Sequence, residues 1–404
     1  MGSQEISAAC TGNAVCATQK YAIVSSHLKK KAISSRSLSN FARRTPLQLK
    51  KEMSRLQDPH RPSFPFGNPF RMMLPKNSHL SHEHVALLNK FEETLAGRLR
   101  KLKPKGKDDI LSLPWMKLSL QLLSETHNDI MSLITDLEFP VCDWEEKWIN
   151  VYLDNSVKLL EILVIFTSEL SRLSQGQLLL QCGLHNLDGT SSTKLMNSHT
   201  ALDSWRQHIG LRNPRLENCC SIIDKLFRLL NLPKVKNSSK GKVVMRAMYG
   251  LKVETLFVCC VFTAAFTGSS EKLIDLPVPE THLWEEAFND LQTSVNQEIR
   301  NSVTSGRSIL VKELEAVDMS VKDLYPMLDH SSVEAEALRK TSAELRNRAE
   351  ILSGELDILA MEVDGFFQIV LTGRDALLCS LTIGSNLPIP NYLKEYKAGK
   401  QLVR

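Results

Sequence analysis

Aromatic residues make up only 6% of the 404-residue chain, and its 18 glycines are few for that length. No stretch alternates apolar and polar residues with the period of two that a half-buried strand requires. Together these absences argue against a sheet-based fold. Disulfide chemistry is also missing. The nine cysteines (Cys10, Cys16, Cys142, Cys182, Cys219, Cys220, Cys259, Cys260, Cys379) are odd in number, contain no C-x-x-C pair, and several sit in apolar runs. Free buried thiols in a reducing compartment are the expectation. The formal charge of +5 is slight and is concentrated near the two ends, so no extended nucleic-acid surface is implied. No uninterrupted apolar run reaches the roughly twenty residues of a spanning helix.

Catalytic and cofactor signatures are missing too. There is no G-x-S-x-G, H-E-x-x-H, dinucleotide-binding fingerprint or EF-hand loop, and "SSKGK" lacks the first glycine of a P-loop. In "HLSHEH", His79, His82 and His84 are the densest histidine cluster, but His82 and His84 point to different sides of a helix, which favours solvated side chains over a metal site. Glu125, His127 and Asp129 of "ETHNDI" read as polar residues on a helix face. The basic loops Lys103–Lys107 and Lys234–Lys242 lack interleaved aromatics and read as solvated, with an anionic lipid surface or an acidic partner as the rival reading. Neither a cofactor nor a metal is expected.

What is present is helical periodicity. Residues 81–384 are expected to form a single α-helical domain, an all-α bundle of long antiparallel helices. Val85, Leu88, Phe91, Leu95, Leu99 and Leu102 recur at three- and four-residue steps behind Ser81, a predicted N-cap. A second helix is expected from Asp108–Asp109 to about Leu137, stopped by Pro140. A third starts at Asp143 and is expected to reach Leu187 with a break near Gly176. Shorter helices fit Ala201–His208 and Leu216–Leu230. The most apolar run, residues 255–267, is expected to be a buried core helix, with membrane insertion as the alternative. A further helix should run from Glu280 to about Leu324, bending at Ser305-Gly306 and ending at Pro326.

The last long helix, Ser332 to about Leu371, carries a seam. Leu338, Leu345, Leu352, Leu359 and Phe366 fall seven apart, with Ala335, Ala349, Leu356, Val363 and Val370 in the companion row and Ser342 its polar exception. A coiled-coil-like hairpin with the preceding helix is expected, ahead of a homodimer; the oligomeric state stays open. Leu338, Leu345, Leu352 and Leu359 are candidate partner-binding residues.

The two ends differ from this body. Residues 1–52 are basic and hydroxyl-rich, as in "SSHLKKKAISSRSLSNFARRTPLQLKK", which suits a chloroplast transit peptide or a disordered basic segment. No secretory h-region is present, and the myristoylation pattern fails at Ile6. Residues 53–80 read as an extended Pro/Phe-rich strap. In "DPHRPSFPFGNPFRM" the prolines forbid helix, and Phe64, Phe66 and Phe70 would share one face of an extended chain, lying on the bundle or serving a partner. Residues 385–404 read as a flexible basic tail.

From Met53 the chain resembles the plant BYPASS family. The likeness is carried by "QDPHRPSFPFGNPFRM", by "LSLPWMKLSLQLLSETHNDIMSLITDLEFPVCDWEEKWINVYLDNSVKLL", and by "LNLPKVKNSSKGKVVMRAMYGLKVETLFVC", "AAFTGSS" and "VLTGRDALL". It covers nearly all of Met53 to Leu381 and not residues 1–52. The resemblance implies a role in root and shoot development, restraining a root-derived mobile signal that depends on carotenoid synthesis and arrests shoot growth. It implies no catalytic residues. Three readings follow: a non-enzymatic regulator or scaffold that binds a protein partner; an enzyme or binder of a small apolar signal precursor; and a peripheral membrane adaptor.

Overall fold

The structure, a computed structural model, describes residues 80–107, 109–138, 146–187, 191–235, 238–329 and 335–383. Phe64, Phe66 and Phe70, the segment 1–52 and the tail 385–404 lie outside the described residues, as do Pro140 and Asp143. The described residues contain no strand. They form the helices α1 (His82–Leu102), α2 (Leu113–Asp136), α3 (Glu146–Leu187), α4 (Ser192–Gly210), α5 (Arg215–Arg228), α6 (Ser239–Thr267), α7 (Glu285–Thr304), α8 (Lys312–Asp329) and α9 (Ala335–Ile383).

Serine sets where four of these begin. Ser81 accepts from the His84 N–H at 3.2 Å, Ser112 from Trp115 at 3.3 Å, Ser191 from Lys194 at 3.4 Å and Ser238 from Gly241 at 2.9 Å. Each satisfies one of the N–H groups that a helix start leaves unpaired. The predicted α2 start at Asp108–Asp109 is therefore four residues early. The Asp109 carboxylate instead accepts the Lys105 and Gly106 N–H groups, both at 3.0 Å, and so ties the preceding loop. The first turn of α2 gains a second acceptor from far along the chain, because Glu313 of α8 takes the Leu113 N–H at 3.0 Å.

The glycine at 176 does not break α3, which runs unbroken for 42 residues. Its role is contact. A Cβ on Gly176 would come within 3.0 Å of the His208 ring, and one on Gly183 within 2.9 Å of Leu202. Two glycines seven residues apart thus let α4 settle closely against α3. At 305–306 the expected bend is a full break. Gly306 adopts φ 84°, a left-handed conformation suited to a helix end, and α8 starts afresh at Lys312. Pro326 does not end α8 but lies inside its last turn. Only one ladder bond is forfeited there, and neighbouring Tyr325 is anchored by its hydroxyl to Asp203 at 2.7 Å.

The apolar helix α6 is the axle of the bundle. It packs against α1, α2, α3, α5 and α7, and 94% of its most apolar window is buried inside the chain. Helix α9, 49 residues and so roughly 70 Å long, lies along α3, α2 and α8. Leu345, Leu352, Leu359 and Phe366 are fully buried there, as are Leu356, Val363 and Val370. The seam is thus filled mainly by α3 and α2 rather than by a hairpin with α8 alone. The 18 residues of α8 span only about 27 Å and cannot cover such a helix.

Candidate functional site

Two places in this fold combine chemistry with access: a polar layer with a small cleft across the middle of the bundle, and the outward face of α9.

The polar layer is built where α6, α2, α3 and α9 meet. Glu254 and Lys252 interrupt the apolar run of α6, yet they are only 2% and 5% exposed. Burial pushes the Glu254 carboxyl up to about 8, so it is a neutral acid near pH 7. Its hydrogen-bond partner is Thr126, whose hydroxyl donates to the Leu122 carbonyl at 3.0 Å and accepts from Arg98 at 3.3 Å. That contact favours the charged carboxylate, so desolvation, not the hydrogen bond, is what keeps Glu254 protonated. Arg98 also reaches Glu125 at 3.0 Å and Asp129 at 2.7 Å. Those two carboxylates of "ETHNDI" therefore serve one guanidinium on α1 rather than a free helix face.

His127, between them in sequence, points the other way. It is 4% exposed, neither ring nitrogen has a hydrogen-bond partner, and Phe366 meets it edge-on at 5.2 Å. Burial lowers its pKa to about 3, so the ring is neutral. His127 lines a cleft with Tyr152, Asn155 and Ser156 of α3, Leu226 of α5, and Met248, Lys252 and Thr255 of α6. Lys252 closes one side by donating to the Leu229 carbonyl, and burial, with Lys158 nearby, lowers its pKa to about 8. On the α9 side, buried Arg374 donates to the Leu153 carbonyl at 2.6 Å and to Ser156 at 3.2 Å. The cleft holds about 30 Å³, space for one or two water molecules.

The thiols offer no reactive centre in this layer. Cys219 of α5 and Cys259 and Cys260 of α6 are buried, and desolvation pushes Cys219 and Cys260 up to about 12 and Cys259 well above the ordinary thiol value. Cys219 shares a hydrogen bond with Thr263 at 3.3 Å. No group of three or more metal-ligating side chains gathers among the described residues.

The partner-binding residues expected on the last helix divide. Leu345, Leu352 and Leu359 are in the core and Leu338 is half-buried against it. The opposite face of the same helix carries Ile351 at 50% exposure, Ile358 at 38% and Met361 at 74%. With Gly354 and Gly365 these follow a three-four-three-four spacing, and a Cβ at either glycine would meet nothing within 4 Å. The sequence signal for this second stripe was the recurrence of Ile351 and Ile358 at seven. Two glycines in five positions hide it from a reading that scores apolar side chains.

The chain is 51% identical over 329 residues to "Protein BPS1, chloroplastic" of Arabidopsis thaliana, a match covering 81% of this chain and 93% of that protein. It is 45% identical over 308 residues to "UPF0496 protein 4" of Oryza sativa subsp. indica, covering 75% and 68%. The japonica protein of that name is 45% identical over 316 residues, covering 77% and 69%. No solved structure matches the chain, and no family model does.

Proposed function

The chain belongs to the BYPASS family of plant proteins, and from that premise we propose that it is a regulator of plant development. In this reading it acts in the chloroplast, the compartment for which the Arabidopsis relative is named, and restrains production of a carotenoid-dependent, root-derived mobile signal that arrests shoot growth. It does so without chemistry of its own, as a helical scaffold for a protein partner. None of the relatives reported above is named for a reaction. The observation that carries the scaffold reading is the outward stripe of Ile351, Ile358 and Met361 on a long helix whose other face is locked into the core. Apolar side chains grouped on a surface mark interaction sites.

A plant lacking the Arabidopsis relative supplies the test. The wild-type chain is expected to restore shoot growth, and Met361→Glu to fail although it folds. Were the chain an enzyme working at the cleft, His127→Leu or Lys252→Met would abolish restoration while Met361→Glu kept it, and the scaffold reading would be dropped. Compartment is tested separately by import into isolated plastids, comparing the full chain with one starting at Met53. Entry and trimming of the full chain alone is the expected result.

A further inference from the structure

We infer that the outward face of α9 is one half of a heterotypic coiled coil, and that its partner is a basic amphipathic helix on another protein. The inference rests on the scaffold reading and specifies the partner's chemistry.

The stripe Ile351, Gly354, Ile358, Met361, Gly365 has the alternating three- and four-residue spacing of a coiled-coil seam. It runs for about four helical turns on the side of α9 turned away from α2 and α3. In that register Ile351, Ile358 and Gly365 take one core position of the heptad, and Gly354 and Met361 the other. The positions flanking the seam are then Glu350, Asp357 and Asp364 on one side, and Glu355 and Glu362 on the other. All five are acidic. No lysine or arginine occurs on the helix between Arg348 and Arg374. Flanking positions decide partner choice in coiled coils, through attraction between opposite charges across the seam.

This pattern excludes some occupants and selects one. A second copy of the chain would set five carboxylates against five, and like charges at these positions are the usual device against self-pairing. A helix with lysine or arginine in the flanking positions would meet exposed Glu350 and Asp357 directly, with half-buried Glu355, Asp364 and Glu362 at the margin, the last already accepting from Gln121 of α2 at 3.0 Å. Gly354 and Gly365 leave hollows in the seam, so large apolar side chains on the partner can enter where two large residues would collide. The partner is therefore bulky in its core positions, basic at its edges and helical when bound.

The probe is a synthetic helical peptide of several heptads, with leucine in the core positions and lysine in the flanking ones. A control peptide carries glutamate in place of lysine. Binding to the full chain is followed by fluorescence anisotropy at low and at raised salt. The lysine peptide is expected to bind and the glutamate peptide not to. Met361→Glu should weaken binding by about tenfold, the equivalent of about 1.4 kcal/mol. Met361 is the most exposed residue of the stripe, so its fold is expected to survive, which circular dichroism checks. Ile358→Ser is the second variant, and Glu355→Lys with Asp357→Lys should shift preference toward the glutamate peptide.

Four results overturn the inference: no binding of the lysine peptide; binding that Met361→Glu and Ile358→Ser leave unchanged; binding that vanishes with salt and ignores both variants, which is non-specific attraction; or self-association of the chain that Met361→Glu abolishes, which makes the face a homodimer. A chain that restores plant growth yet ignores the peptide sinks this inference and leaves the developmental role standing. A chain that binds the peptide through this face but does not restore growth sinks the role instead.

Discussion

Two buried titratable side chains, His127 and Glu254, shape the pH response of this protein in opposite directions. His127 titrates at about 3 when folded and 6.5 when free, so below pH 6.5 the unfolded chain gains a proton that the folded chain refuses. Stability contributed by a neutral His127 is lost as pH falls from 6.5 towards 3. Glu254 runs the other way. Its carboxyl keeps a proton up to about 8 in the fold against 4.5 in the open chain, so stability declines as pH rises from 4.5 to 8. Glu254→Gln imitates the protonated acid. It is expected to leave the melting temperature near its wild-type value at pH 5 and to raise it relative to wild type as pH approaches 8. His127→Leu should flatten the acid limb below 6.5 instead. Thermal unfolding of the three proteins across pH 4 to 9 checks both, and an Glu254→Gln difference that does not change with pH would show that Glu254 is ionised in the fold. These roles were only half legible in the sequence. Lys252 and Glu254 stood out as interruptions of an apolar run, but the identical polarity of Glu125, His127 and Asp129 concealed that two of them meet Arg98 while the third turns inward. The choice depends on an arginine 27 to 31 residues away, a tertiary fact that local spacing does not carry.

Helix ends, rather than helix interiors, are where the elements of this fold are most finely set. The apolar periodicities of α1 and α9 and the apolar run of α6 predicted their existence and most of their buried faces, although Val85 of the expected α1 stripe is 37% exposed. Boundaries failed where one of several polar residues near a helix start does the capping, as Ser112 does for α2 with Glu313 of α8 as a second acceptor, or where a glycine serves contact instead of termination, as Gly176 does on α3. Gly268 shows the reverse case, a glycine that does terminate. It closes α6 with φ 63°, its N–H bonded to the Ala264 carbonyl at 3.0 Å, and a Cβ there would lie 2.2 Å from the Ser308 carbonyl oxygen. Both the left-handed conformation and the contact demand glycine. Gly268→Ala is expected to cost more than about 2 kcal/mol, since strain of this type runs at 1–3 kcal/mol before any clash. Gly354→Ala, on the open outer face of α9, is expected to be stabilising or neutral because alanine is the better helix former. Chemical denaturation of the pair reads the contrast, and equal losses in both would mean that the backbone at 268 relaxes freely.

At the scale of the whole molecule, everything turns on α6. The helix is 29 residues long and apolar enough to cross a bilayer by length and composition, and the same run reads in sequence as either a core helix or an inserted one. The fold distinguishes them through what surrounds the helix. Its apolar side chains are matched by those of α1, α2, α3, α5 and α7, and its two charged interruptions are met by Thr126 and the Leu229 carbonyl. Moving α6 into lipid would strip five helices of their common core. It would also carry Lys252 into hydrocarbon without its carbonyl partner, at a cost of about 2.5–3.5 kcal/mol for a charged lysine near the helix centre. The bundle therefore holds α6 more favourably than a membrane does. Chain recovered with plastid membranes is expected to be released by alkaline carbonate, with raised salt sufficient if attachment runs through basic surface loops such as Lys103–Lys107. Resistance to carbonate would require α6 to leave the bundle, and the outward stripe of α9 would then lose the rigid support on which its pairing with a partner helix depends.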